Sequence, residues 1–320
     1  MKKLFRFWRR RDESSSPHSS DLPMGLGYHL QDKDLKKLHK AALAGDLEKL
    51  TKYLQVKKQD VNLRDKEYRT PLHLACANGH VNIVYFLIEK QCEINVLDSE
   101  NRSPLIKAVQ CQKEDCATVL LNCGADPNLV DFHHNTALHY AVCGQSVSLV
   151  EKLLQHEANL EAKNEDGYTP LLLAVSKNNA EMAKFLLTKG ADVNAADKNQ
   201  RTALMIAISG EPTNLVSILF QQDVDLSRQD IYGFTAEEYA SFNGLTVYHQ
   251  LTSNNGKKQK VKQKSYNEQP TLATTCDTEE LKDGNKILTE QVFLLLVVCL
   301  FFLGKETTFL GNTSEIENFL

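Results

Sequence analysis

Thr70-Pro71-Leu72-His73 returns along the chain. Threonine or serine recurs at Thr70, Ser103, Thr136, Thr169, Thr202 and Thr235, every step being 33 residues. The residues that follow are Pro-Leu-His, Pro-Leu-Ile, Ala-Leu-His, Pro-Leu-Leu, Ala-Leu-Met and Ala-Glu-Glu. A second ladder runs in register at Asn62, Asn95, Asn128, Glu161, Asn194 and Ser227. Equal steps without insertion or deletion mark a repeat architecture, and a period in this range points to a solenoid.

Residues 65–97 show what one repeat should build. Asp65 opens a turn, and Thr70 caps a helix by accepting a free N–H of its first turn. Pro71 takes the first helical position, where its missing N–H costs nothing. Leu72, Leu74, Ala75 and Cys76 give this short helix an apolar face. Asn78-Gly79 ends it, with glycine in the left-handed conformation. Val81, Ile83, Val84, Phe86, Leu87 and Ile88 form a second helix, and Glu93-Ile94-Asn95 leads to the next turn. Neither helix buries its apolar face alone. Stacked neighbours bury a continuous core, so the fold class is an all-α solenoid of helix–turn–helix repeats with β-turn tips.

This period and tetrapeptide resemble the ankyrin repeat over roughly residues 35 to 250. Finer stretches are similar to a mammalian subgroup, the POTE-like and ankyrin-repeat-domain-26-like proteins. They are Gly27-Tyr28-His29-Leu30 leading to Leu38-His39-Lys40-Ala41-Ala42, Leu72 to His80, Lys107 to Gln112, and Cys116 to Leu121. The basic start Met1-Lys2-Lys3-Leu4-Phe5 also fits. The resemblance implies intracellular protein binding without catalysis. It also makes His73 and His139 structural, bonding the backbone of the neighbouring turn. Partner contacts would come from the turn tips and the inner face of each first helix. By position these are Lys66, Glu67, Arg69, Ser99, Glu100, Arg102, Phe132, His133, Asn135, Glu165, Asp166, Tyr168, Lys198, Asn199, Arg201, Ile231, Tyr232 and Phe234.

Departures from the family pattern matter too. A turn glycine is usual two residues before each threonine, yet only Gly167 and Gly233 supply it. Tyr68, Asn101, His134 and Gln200 fill the other places, and only asparagine tolerates positive φ well. Between the helices, only Gly79 keeps the glycine, replaced by Gln112, Gln145, Asn178 and Glu211. Either those turns change geometry or the repeats carry strain, with lower stability than a consensus array.

The expected organisation is a basic then disordered tail at 1–34 and a solenoid at 35–252. The solenoid divides into a capping repeat at 35–64, five full repeats at 65–229 and a half repeat at 230–252. A polar linker follows at 253–286 and an apolar tail at 287–320. The 320 residues carry a formal net charge of −4, and residues 35–252 carry −5 of their own. A mildly acidic solenoid is not a nucleic-acid platform. Glu237 and Glu238 are adjacent on a helix and diverge, which suits a solvated cap rather than acid–base work. No C-x-x-C pair occurs among the eight cysteines. No phosphate loop or nucleophile–base motif is present either, so no catalytic, metal or cofactor residue is assigned. Expected localisation is intracellular and cytoplasmic, with nuclear or membrane-peripheral pools as alternatives.

The tails leave readings open. Residues 1–11 interleave six cations with four large apolar side chains, a composition that suits either a solvated tail or peripheral contact with an anionic membrane. Five lysines at 257–264 suit a solvated run or a nuclear import patch. Val292 to Leu303 is a run of twelve apolar residues, short of the ~20 that span a bilayer. A tail anchor over 287–303, a helix docked on the solenoid and an aggregation-prone segment stand side by side for it. The function expected is a noncatalytic interaction module or scaffold, with a membrane-tethered adaptor as the alternative.

Overall fold

The computed structural model describes Tyr28, residues 35–210 and residues 214–244. The basic start, Glu211, the lysine run, the linker and the apolar tail lie outside the described residues. Thirteen α-helices are described. α1 (Lys37–Leu43) and α2 (Leu47–Thr51) come first, α2 running into a π turn at Lys52–Val56. Five helix pairs follow: α3 (Pro71–Asn78) and α4 (Val81–Glu89), α5 (Pro104–Gln110) and α6 (Glu114–Asn122), α7 (Ala137–Cys143) and α8 (Val147–Gln155), α9 (Pro170–Ser176) and α10 (Ala180–Thr188), α11 (Ala203–Ser209) and α12 (Asn214–Leu219). α13 (Ala236–Asn243) is the last. Two isolated antiparallel bridges, Ala196–Thr202 and Gln229–Thr235, are the sheet-like pairings among the described residues. No helix among them is long and apolar enough to cross a membrane.

The repeats stack in register. α1 packs on α3, α3 on α5, α5 on α7, α7 on α9, α9 on α11 and α11 on α13, while α4 packs on α6, α6 on α8 and α10 on α12. First helices are enclosed by two neighbours and their own second helix, so they are buried on nearly every side. Pro71 to Ala77 are all buried, and Leu72, Leu105, Leu138, Leu171 and Leu204 form one repeating buried column. Second helices bury one stripe, as Ile83, Val84 and Leu87 do on α4 and Leu149, Val150 and Leu153 on α8. One apolar core is continuous from Leu38 to Ala240.

The turn geometry survives the missing glycines. Tyr68, Asn101, His134 and Gln200 hold φ of 58°, 57°, 58° and 58°, alongside Gly167 at 78° and Gly233 at 82°. Between helices, Gln112, Gln145 and Asn178 hold 56°, 58° and 55° beside Gly79 at 80°. Of the two alternatives, the structure takes strain over altered turns. A further left-handed ladder after the second helix, Gln91, Gly124, Glu157 and Gly190, was not read from the sequence. Gly167 is needed for space as well, since a Cβ there would meet the Lys198 backbone nitrogen at 2.7 Å. A non-glycine side chain in this region costs about 1–2 kcal/mol, against about 0.5–1 kcal/mol of extra chain entropy lost by glycine. His134→Gly should therefore raise stability by about 0.5–1 kcal/mol in urea unfolding, and Asn101→Gly by less. Destabilisation by His134→Gly would show that the turn is not strained.

Histidine joins first helices to neighbouring turns. Nε2 of His39, His73 and His139 lies 2.9, 3.0 and 3.0 Å from the carbonyls of Arg69, Arg102 and Tyr168. Nδ1 of His73 accepts the Thr70 backbone N–H at 3.1 Å, and His139 does the same for Thr136 at 3.2 Å. An accepting Nδ1 fixes the Nε2–H tautomer, so the ring donates to the next repeat while neutral. At α13 the same position is Glu238, which accepts from the Thr235 backbone N–H at 2.6 Å. This corrects the expectation of a solvated carboxylate pair: Glu237 is exposed, but Glu238 is half-buried in a capping box.

Burial lowers the pKa of all three histidines, that of His73 from 6.5 to about 4. Between those two pH values the unfolded chain binds the proton and the folded chain does not. Stability contributed at His73 is thus present above pH 6.5, falls as pH drops through the window, and levels off below about 4. The full loss is about 3 kcal/mol. His73→Leu copies the apolar residue that Leu172 supplies three repeats later along the same series. Urea unfolding between pH 7.5 and 4 should show a shallower loss for this variant than for the parent. Equal slopes would mean that His73 is not held neutral.

Candidate functional site

Each turn tip is built around one side chain. Asp65 Oδ1 accepts the backbone N–H groups of Glu67 and Arg69 at 3.0 and 2.9 Å. Asp98 accepts Glu100 and Arg102, both at 2.9 Å, and Asp131 accepts His133 and Asn135 at 2.9 and 2.8 Å. Asn164 does the same for Asp166 and Tyr168, and Asp230 for Tyr232 and Phe234. Asp197 Oδ1 accepts Arg201 N–H at 2.8 Å. All six organisers are buried. They recur every 33 residues, a ladder as legible as the threonines, yet only Asp65 was singled out from the sequence.

The second carboxylate oxygen pulls a further group inward. Asp65 Oδ2 takes Arg69 Nε at 2.7 Å, Asp98 takes Arg102 Nε at 3.3 Å and Asp197 takes Arg201 Nε at 2.8 Å. Where that arginine is absent, a tyrosine on the following helix supplies the donor. Tyr140 O–H reaches Asp131 Oδ2 at 2.6 Å, and Tyr239 O–H reaches Asp230 Oδ2 at 2.7 Å. Burial and the facing carboxylate push both phenols well above the ordinary tyrosine value, so they remain O–H donors.

Successive tips are tied by the backbone. The N–H groups of Ser99, Phe132, Glu165, Lys198 and Ile231 donate to the carbonyls of Glu67, Glu100, His133, Asp166 and Asn199, at 2.8–3.2 Å. The second ladder read from the sequence ties the loops behind them. Asn62 Oδ1 accepts Glu93 N–H, Asn95 accepts Asp126, Asn128 accepts Asn159, Glu161 accepts Asp192 and Asn194 accepts Asp225, at 2.7–2.9 Å. The tips thus form one hydrogen-bonded edge, with side chains presented from fixed backbone.

The expected contact residues divide on this edge. Lys66, Glu67, Glu100, Phe132, His133, Glu165, Lys198, Ile231 and Tyr232 are exposed. Ser99, Asp166, Tyr168, Asn199, Arg201 and Phe234 are half-buried. Arg69, Arg102 and Asn135 are buried: each bonds back to the turn organiser four residues before it, and the Tyr28 ring lies against Arg69 and Arg102 as well. All three hold the turn rather than reach outward. Tyr68 is 58% exposed on the first tip and was not among the expected contacts. With Phe132 at 59%, Ile231 at 53% and Tyr232 at 57% it makes up the apolar part of the edge.

Charge along the edge is mixed. Glu67 accepts the Ser99 hydroxyl at 3.0 Å, and Glu100 pairs with Arg102 at 2.8 Å. His133 Nδ1 meets Glu165 Oε2 at 2.9 Å across adjacent tips, and that carboxylate raises the histidine pKa. Among the described residues no group of three or more His, Cys, Asp or Glu side chains could hold a metal ion. Six described cysteines are free thiols, and burial pushes Cys76, Cys92, Cys111 and Cys116 up, away from thiolate reactivity.

Comparison with known proteins fits this geometry. A family model described as ankyrin repeats (3 copies) matches residues 38–131 and 129–197. Human ankyrin repeat domain-containing protein 7 is 62% identical over 76 residues, which are 24% of this chain and 26% of that protein. The match therefore spans about a quarter of that relative's length. Among solved structures, the human ASB11 ankyrin repeat domain superposes with a TM-score of 0.56 at 28% identity, over 64% of this chain and 91% of that one. A chain from the complex of the Bd0816 predatory endopeptidase of Bdellovibrio bacteriovorus with immunity protein Bd3460 gives 0.55 at 26%, over 59% and 100%. With half of its residues under that family model and every described repeat in register, the chain belongs to the ankyrin-repeat family, whose arrays are protein–protein interaction modules.

Proposed function

We propose that this chain is a noncatalytic cytoplasmic scaffold that binds a protein partner through its turn tips, the first helices themselves being almost wholly buried. The observation that carries the reading is the exposed apolar set Tyr68, Phe132, Ile231 and Tyr232 on a backbone-bonded edge. A backbone already fixed in place loses little entropy on binding, and aromatic residues dominate binding hot spots. Mixed charge among Lys66, Glu67, Glu100, Glu165 and Lys198 favours a protein surface over a polyanion. The endopeptidase–immunity protein complex among the structural relatives supports the same class of partner. Buried thiols held in their protonated form suit a reducing compartment.

Capture of partners from cells tests it. Phe132→Ala combined with Tyr232→Ala should leave thermal unfolding unchanged and weaken specifically captured partners at least ~10-fold, as loss of one hot spot does. Tyr85→Ala, an exposed aromatic on the second-helix face, should leave capture unchanged. Partners retained by the tip variant but released by the Tyr85 variant would place the binding surface on the other side.

A further inference from the structure

Asp98 stands apart among the turn organisers. At Asp131 and Asp230 the tyrosine nine residues later in the same repeat donates to Oδ2. Nine residues after Asp98 the chain has Lys107, not tyrosine. A phenol is nevertheless in place, and it comes from far away in sequence. Tyr28 O–H donates to Asp98 Oδ2 at 2.9 Å across 70 residues.

The ring of Tyr28 is surrounded by cations. Lys107 Nζ lies 4.1 Å from its centroid, and the guanidinium carbons of Arg69 and Arg102 lie 4.9 and 5.5 Å from it. Lys107 is the largest side chain buried below 2% exposure, and its ammonium donates to the buried Gln110 Oε1 at 2.9 Å. Burial and Arg102 lower its pKa to about 8, so at neutral pH it is mostly charged yet close to becoming a nucleophile. Three cations against a π face, with one carboxylate oxygen at the hydroxyl, match a phenol on both counts. Phenylalanine would leave the Asp98 oxygen without that donor, and an aliphatic side chain would lose the cation–π attraction as well.

We propose that Arg69, Asp98, Arg102 and Lys107 form a tyrosine-recognition pocket whose occupant is Tyr28 of the chain's own N-terminal segment, a tethered ligand that anchors that segment to the solenoid. The test needs no partner, so it stands or falls apart from the reading of the tips as protein-binding. A tethered occupant has an effective concentration near the millimolar range, which a peptide in solution must overcome.

The probe is a fluorescein-labelled peptide of residues 22–34, titrated by anisotropy into the full-length chain and into its Tyr28→Ala variant. The peptide should bind the variant at least ~10-fold more tightly than the parent chain. A Tyr28→Phe peptide should bind the variant several-fold more weakly, and a Tyr28→Ala peptide should not bind. Lys107 supplies a second readout. Its acylation by an N-hydroxysuccinimide ester at pH 8, read by mass spectrometry, should be at least ~10-fold faster in the Tyr28→Ala chain, because the covering ring is gone. The peptide should restore protection. Equal binding by both chains, binding by neither, or equal labelling of Lys107 would each overturn the pocket.

Discussion

One buried side-chain acceptor per repeat, a carboxylate at every tip except that of Asn164, sets the conditions for everything on the functional edge. Its first oxygen fixes two backbone N–H groups of the tip, and its second draws in an arginine or tyrosine. A charged acceptor with several donors is among the strongest arrangements available inside a protein, and it is costly to disrupt because the charge would be left uncompensated. That energy holds Tyr68, His134 and Gln200 in a left-handed conformation that their side chains disfavour. It also aligns the tip backbones so that each bonds to the next. Asn164 shows that the two backbone contacts need an acceptor rather than a charge, since its neutral amide oxygen accepts the same pair.

The chain solves the same problem in more than one way. Arginine completes the turn at Asp65, Asp98 and Asp197, and tyrosine completes it at Asp131 and Asp230. Histidine joins first helices to the next turn at His39, His73 and His139, while Ile106, Leu172 and Met205 fill that position with apolar side chains. A solenoid tolerates such variation because each repeat meets only its neighbours. Surface identity is then free to change from tip to tip, which makes a rigid edge with local differences suited to recognising one partner.

Much of the fold was legible in the sequence because period and chemistry coincide. The threonine caps, the leucine column and the asparagine ladder all lie at fixed 33-residue steps, and each marks an interaction that every repeat makes. The candidate site was harder to read. Arg69, Arg102 and Asn135 look like exposed polar tip residues, but they lie four positions after a buried acceptor and turn inward. Pairing the residue at each organiser with the one four later would have shown this. Tyr28 is different in kind. Its contact spans 70 residues and belongs to no period, so only the fold brings it to Asp98. Glu238 was misread for a related reason: helix spacing says that it diverges from Glu237, but not that it reaches back to cap Thr235.

Asp131 is the place to test whether the turn carboxylate governs the edge. It accepts from His133, Asn135 and Tyr140, and its tip bonds both neighbours through Phe132 and His133. The measurement is amide hydrogen exchange on Asp131→Ala, together with urea unfolding. The account predicts a stability loss of at least about 3 kcal/mol and loss of protection at Phe132, His133, Asn135 and Glu165, with the α10 amides far less affected. A loss below about 1 kcal/mol with protection intact at those four amides would contradict it.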